Sequence, residues 1–180
     1  MEIYLIRHPR PTGIDGLCYG RLDVSVDQTT IAAAADSIVN QIPDDTLKTA
    51  SIYCSPLSRC VALARRLAAP NEPLASDDLI EMNFGQWQGL RWDAIPRDQI
   101  DAWATEVWDY CPGGGESAQM VAIRWQRWVD ALRQKRERGV IAVTHAGVIR
   151  VALARSGYEM GAPAVESHIP FGSVYRLDIA

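Results

Sequence analysis

The sequence predicts an α/β fold, a three-layer α/β/α sandwich around a mainly parallel sheet. Two observations lead there. Short apolar runs of strand length alternate with longer stretches whose apolar residues recur at spacings of three and four. The chain has 180 residues, 48% hydrophobic and 22% charged, which suits a single globular domain, and no repeat, linker or low-complexity tract divides it.

In chain order, Ile3 to Ile6 reads as a buried strand ending at Arg7-His8, and the Pro/Gly-rich stretch from Pro9 to Gly20 reads as a loop. Asp27 to Ile42 contains Ile31, Ala32, Ala35, Ile38, Val39 and Ile42 at spacings of three and four, which predicts a helix ended by Pro43. Ser51 to Cys54 is a short strand. The next helix is expected to open with Ser55 as N-cap and Pro56 in its first position, and to run to about Ala69. Leu74 to Ile80 is a weaker extended segment. An aromatic stretch from Phe84 to Tyr110 holds Trp87, Trp92, Trp103 and Trp108, and residues of about 82–116 are expected to form a lid. After the break at Gly113-Gly114-Gly115, Glu116 to Arg136 reads as a long helix with Val121, Trp125, Trp128, Val129 and Leu132 inward. Val140 to Thr144 is the strongest strand, Val148 to Ala154 a helix, and Val174 to Ile179 a closing edge strand.

Composition narrows the function. A formal charge of −4 argues against nucleic-acid binding through a broad basic face. Of the basic residues only Lys48 and Lys135 are lysines, so planar, permanently charged guanidinium donors are plentiful. Cys18, Cys54, Cys60 and Cys111 form no CxxC pair, and with three histidines in all neither a metal site nor a disulfide scaffold is expected. No signal peptide or membrane span is visible, so a cytoplasmic location is the default expectation, without membrane partners.

Open α/β sheets bind ligands beyond the carboxyl ends of their strands. Arg7-His8, Ser55-Pro56 and His145 all fall at such ends. A histidine nucleophile for phosphoryl transfer needs a neutral ring nitrogen facing phosphorus, cationic donors on the non-bridging oxygens, and a carboxylic acid to protonate the leaving alkoxide. Arg7, His8, Arg59 and His145 supply the first two. Glu81 competes with Asp77 and Asp78 for the third.

Leu5-Ile6-Arg7-His8, Ser55-Pro56-Leu57-Ser58-Arg59, the stretch from Leu79 to Gly89, Pro112 to Ser117 and Val143 to Arg150 resemble, in order, the motifs of the histidine phosphatase superfamily, the phosphoglycerate mutase-like proteins. The resemblance implies that fold. It also implies that His8 becomes phosphohistidine, that Arg7, Arg59 and His145 hold the phosphate, that Glu81 is proton donor and then base, and that no metal or other cofactor is needed. This chain departs from the pattern at Pro9, where Gly is usual, and at Ile14, where Asn is usual; that contact is either missing or supplied by Thr12 or Arg10.

Cys18 to Val24 resembles the early loop of α-ribazole phosphatases of cobalamin biosynthesis, which adds Tyr19, Gly20 and Arg21 as substrate-binding candidates. The expected partner is then a small phosphate ester, α-ribazole 5′-phosphate or the phosphorylated cobalamin precursor. A sugar or other small phosphate ester is the second reading, and a non-catalytic phosphate-binding regulator the third. The tryptophans are expected first as lid and core packing, with Tyr19, Trp87 and the Trp103/Trp108 segment as the aromatic faces available to a nucleoside-like substrate, and His168 as structural. Cys60-x5-Arg66 matches the spacing of cysteine-based phosphatases, but its intervening residues are helical rather than a phosphate-cradling loop.

Overall fold

The computed structural model describes residues 1–156 and 168–179. Its sheet has five strands, β1 (Glu2–Arg7), β2 (Ser51–Cys54), β3 (Leu74–Ala75), β4 (Gly139–Thr144) and β5 (Val174–Asp178), in the order β3-β2-β4-β1-β5. All neighbours run parallel except β5, which pairs antiparallel with β1 at the edge. Six helices accompany them: α1 (Gln28–Val39), α2 (Asp44–Thr49), α3 (Ser58–Ala68), α4 (Arg97–Thr105), α5 (Ala118–Gln134) and α6 (Ala146–Arg155).

The two central strands read as unbroken apolar runs because both faces of the sheet are covered. Alternation along them sorts the side chains. Ile3, Leu5, Val140 and Ala142 face a core with α5 and α6, where Val121, Trp125, Trp128, Val129, Leu132, Val148 and Ile149 lie. Tyr4, Ile6, Ile141 and Val143 face the other way, toward Ala35 and Ile38 of α1 and Cys60, Leu63 and Ala64 of α3. A third, smaller cluster lies outside the sheet, with Cys18, Trp87 and Ile95 buried and Phe84, Ile100, Trp103 and Tyr110 around them. Cys111 is exposed, whereas the other three thiols are buried.

Several elements differ from expectation. Helix α1 ends at Val39, and Pro43 precedes α2, a helix with no buried residue and so no apolar period to read. Leu74 to Ile80 resolves into the two-residue β3 and a 3-10 turn at Asp77–Leu79. The Ser55-Pro56 start is wrong: α3 begins at Ser58 with Leu57 as its N-cap, and Asp23 of the preceding loop accepts hydrogen bonds from Ser58 N (2.9 Å) and Oγ (2.7 Å). A carboxylate from elsewhere in the chain thus performs the capping that Ser55 was expected to perform. Helix α5 starts at Ala118, two residues later than expected, with Ser117 as its cap.

The excursion between β3 and α5 is fastened backbone to backbone. A Cβ at Gly113 would lie 2.3 Å from Phe84 O, and one at Gly115 2.0 Å from Asn83 O, so only glycine permits this approach.

Candidate active site

Register builds the site. Arg7 pairs with Thr144, and Cys54 with Val143, so the next residues along each strand, His8, His145 and Ser55, come together at one end of the sheet. The imidazole centroids of His8 and His145 are 5.1 Å apart, and both rings are fully buried. Arg59, in the first turn of α3, is fully buried against them.

His8 Nδ1 lies 2.7 Å from Pro9 O. A carbonyl can only accept, so the proton sits on Nδ1 and Nε2 carries the lone pair. Burial, then the positive charges of Arg59 and Arg7, push the His8 pKa down to about 3 despite the opposing bond to Pro9, and the ring is neutral at physiological pH. Burial, then His8 and Arg59, also hold His145 well below the ordinary range. Ser55 Oγ stands 2.8 Å from His145 Nε2, and Cys60 Sγ 3.4 Å from the same atom.

Both arginines are fixed by main-chain carbonyls. Arg59 Nη1 donates to Leu22 O (2.7 Å) and Nη2 to Gly20 O (2.6 Å), while Arg7 Nη1 donates to Ile169 O. Among the described residues, Arg7 Nε, Arg59 Nε and His8 Nε2 are buried with no hydrogen-bond partner. Two guanidinium N–H donors and one lone pair left over in a single buried cluster is an expensive arrangement unless an anion completes it.

Glu81 is nearly buried. Its Oε1 accepts from Met82 N (2.8 Å) and from Gly147 N (3.2 Å) in the first turn of α6. A Cβ on Gly147 would come within 2.4 Å of that oxygen. Asp78 is instead ion-paired with Arg127, and neither it nor Asp77 faces the cavity described next.

A cavity of about 510 Å³ opens onto Arg7, Tyr19, Gly20 and Glu81, and its lining also includes Phe84, Trp92, Trp103 and Trp108. Trp87 is buried as packing, but the other three tryptophans of the excursion line the cavity, and so does His168, which was expected to be structural. Tyr19 and Phe171 both line the cavity and both lie near His8, with ring centroids 6.4 and 5.6 Å from the imidazole. Arg21 does not line the cavity. Its Nε donates to Glu81 O (2.9 Å) and its Nη2 pairs with Glu116 (2.8 Å), so it braces the acid-bearing segment from behind. Arg10 pairs with Asp15, and neither Arg10 nor Thr12 reaches the cavity wall. Cys60 is fully buried in α3 and burial raises its thiol pKa, while Arg66 is exposed, so the cysteine-phosphatase spacing has no chemistry behind it.

Sequence reasoning missed Ser55 as the neighbour of His145, Glu116 as the partner of Arg21, and Arg150, which lines the cavity beside Glu81. Arg150 was in plain view at the end of the fifth motif. Among the described residues no group of three His, Cys, Asp or Glu could hold a metal ion, and no helix is long and apolar enough to cross a membrane.

The sequence profile described as histidine phosphatase superfamily (branch 1) matches residues 3–180. No functionally curated protein matches the chain in sequence. Among solved structures, TTHB049 from Thermus thermophilus is similar, with 23% identity, a TM-score of 0.76, and 99% of this chain and 94% of that one covered. The α-ribazole phosphatase from Shigella flexneri shares 25% identity at a TM-score of 0.76, over 100% of this chain and 91% of that one. The mycobacterial glucosyl-3-phosphoglycerate phosphatase Rv2419c, in its VO3 complex, shares 24% at a TM-score of 0.78, over 98% and 92%.

Proposed function

The chain belongs to the histidine phosphatase superfamily, and from that premise we propose that it is a phosphomonoester hydrolase working through a phosphohistidine on His8. The observation that carries the proposal is the trio of unpartnered buried nitrogens, Arg7 Nε, Arg59 Nε and His8 Nε2, gathered at the strand ends. His8 Nε2 attacks phosphorus while the Nδ1–H bond to Pro9 O steadies the imidazolium that forms. Arg7, Arg59 and His145 hold the non-bridging oxygens as charge shifts in the transition state. Glu81, as the acid, gives its proton to the leaving alkoxide. The resulting carboxylate then takes a proton from water as its oxygen attacks the phosphohistidine, which frees inorganic phosphate and returns neutral His8 and protonated Glu81. Written this way, the reaction draws on guanidinium charge and needs no metal.

For the ester we propose α-ribazole 5′-phosphate, or the 5′-phosphate of the adenosylated cobalamin, in the cytoplasm. Support comes from the likeness to the Shigella α-ribazole phosphatase and from a cavity walled by Tyr19, Phe84, Trp92, Trp103 and Trp108, faces suited to an aromatic base. Residues of about 82–116 act as the lid that carries all of those faces but Tyr19.

A panel comparing α-ribazole 5′-phosphate with fructose bisphosphate and phosphoglycerates tests the ester, and trapping of acid-labile radiolabelled phosphate on His8 tests the reaction. Highest kcat/KM for α-ribazole 5′-phosphate is expected; a clear preference for a sugar phosphate replaces the substrate assignment, and failure to trap phosphate on a His8-bearing peptide overturns the mechanism.

A further inference from the structure

Arg7 is held by a segment far away in the chain. Its guanidinium lies 3.6 Å over the Phe171 ring, and its Nη1 donates to Ile169 O. The same segment grips its main chain: Arg7 N donates to Ser173 O (3.0 Å) and Gly172 N to Arg7 O (3.1 Å). Phe171 also packs against the His8 ring and forms part of the cavity wall. One aromatic ring therefore meets the anion-binding arginine, the nucleophilic imidazole and the space where substrate would lie.

We propose that Phe171 is a positioning residue, whose ring face fixes the Arg7 guanidinium in the orientation that leaves Nε directed at the phosphate; this rests on the phosphohydrolase reading above. The physics favours a ring over any aliphatic side chain of similar size. A guanidinium stacked on an aromatic face keeps its in-plane N–H donors available, and the face offers electrostatic attraction that leucine lacks. Ile169 O occupies one donor and the ring covers the plane, so rotation of the guanidinium away from the anion is blocked on two sides. Arg10 approaches the same ring at 5.5 Å but is paired with Asp15, so it does not substitute.

The test uses the full chain with Phe171→Leu, Phe171→Met and Phe171→Tyr, with orthovanadate as the probe of the anion site and p-nitrophenyl phosphate as substrate. Urea midpoints are recorded for each, and two apolar replacements guard against one failing to fold. We expect the Leu and Met variants to bind vanadate roughly two- to thirtyfold more weakly, the range a cation–π contact spans from exposed to desolvated, with KM raised and the Tyr variant restored to near the parent. Parent-like vanadate affinity in the Leu and Met variants overturns the inference. So does an equal loss in the Tyr variant. If the parent itself neither binds vanadate nor turns over phosphate esters, the phosphohydrolase reading fails as well. Vanadate binding by the parent that is unchanged by Phe171→Leu sinks only the role of Phe171.

Discussion

Gly147→Ala adds one methyl group where Glu81 needs the space. The new Cβ would sit 2.4 Å from Glu81 Oε1, where ordinary contact begins at 3.4 Å, so the carboxyl must withdraw by about 1 Å. The atom in the way is the end of a flexible side chain, and position 147 lies inside α6, where alanine is the better helix former. Stability should therefore hold or rise slightly while the acid moves off line. A displacement of about 1 Å in a catalytic group costs on the order of a hundredfold. That cost should fall on the step that needs a proton. We expect kcat/KM for alkyl phosphates to drop on the order of a hundredfold and for p-nitrophenyl phosphate by less than about tenfold, because an activated phenolate leaves with little help from an acid. The assay is kcat/KM across a series of esters ordered by leaving-group basicity, with vanadate affinity and the urea midpoint as controls. Equal loss along the series, or none for the alkyl esters, would refute the assignment of Glu81.

Three further expectations follow from the same geometry. His8 and His145 are held neutral in the fold, so the unfolded chain binds more protons below pH 6.5; their stabilisation is present above that pH and is lost as pH falls, for His8 down to about 3, at up to about 1.4 kcal/mol per pH unit for each ring. Urea unfolding at pH 7, 6 and 5 should show that loss, with about half the slope in His8→Asn; a flat parent profile contradicts it. Arg59→Lys replaces three directed N–H groups with one ammonium, which cannot hold Gly20 O and Leu22 O and also face an anion, so turnover should fall on the order of a hundred- to a thousandfold and the unfolding midpoint should drop. Ser55→Ala leaves His145 Nε2 without its hydroxyl neighbour, and we expect a stability loss of about 1–3 kcal/mol; an unchanged unfolding midpoint would show that the 2.8 Å contact carries no weight.

The legible parts of this molecule were those written locally. Ile3 to Ile6 and Val140 to Val143 announce buried strands by being apolar without interruption, and the inward face of α5 is spelled out by its own period. Placing Arg7-His8 and His145 at strand ends needed only the rule for open sheets. What stayed hidden depends on partners distant in the chain. Ser55-Pro56 carries the local signature of a helix start, and nothing within ten residues says that Asp23 will cap α3 and leave Ser55 to His145. Arg21 looks like a substrate contact until Glu81 O, 60 residues on, claims it. Arg7 meets Ile169 across 162 residues, so the roles of Ile169 and Phe171 could be read only once β5 had paired with β1. Helix α2 was invisible for a different reason, since with no buried residue it has no pattern to show.

The four thiols happen to divide the molecule into chemically addressable compartments. Cys111 reacts from solvent, Cys18 only when the tryptophan-rich excursion loosens, and Cys54 and Cys60 only when the sheet parts from α3. Pulse alkylation followed by peptide mapping would thus clock two separate breathing motions in the unlabelled native chain, and would tell whether an oxyanion quiets the one, the other or both.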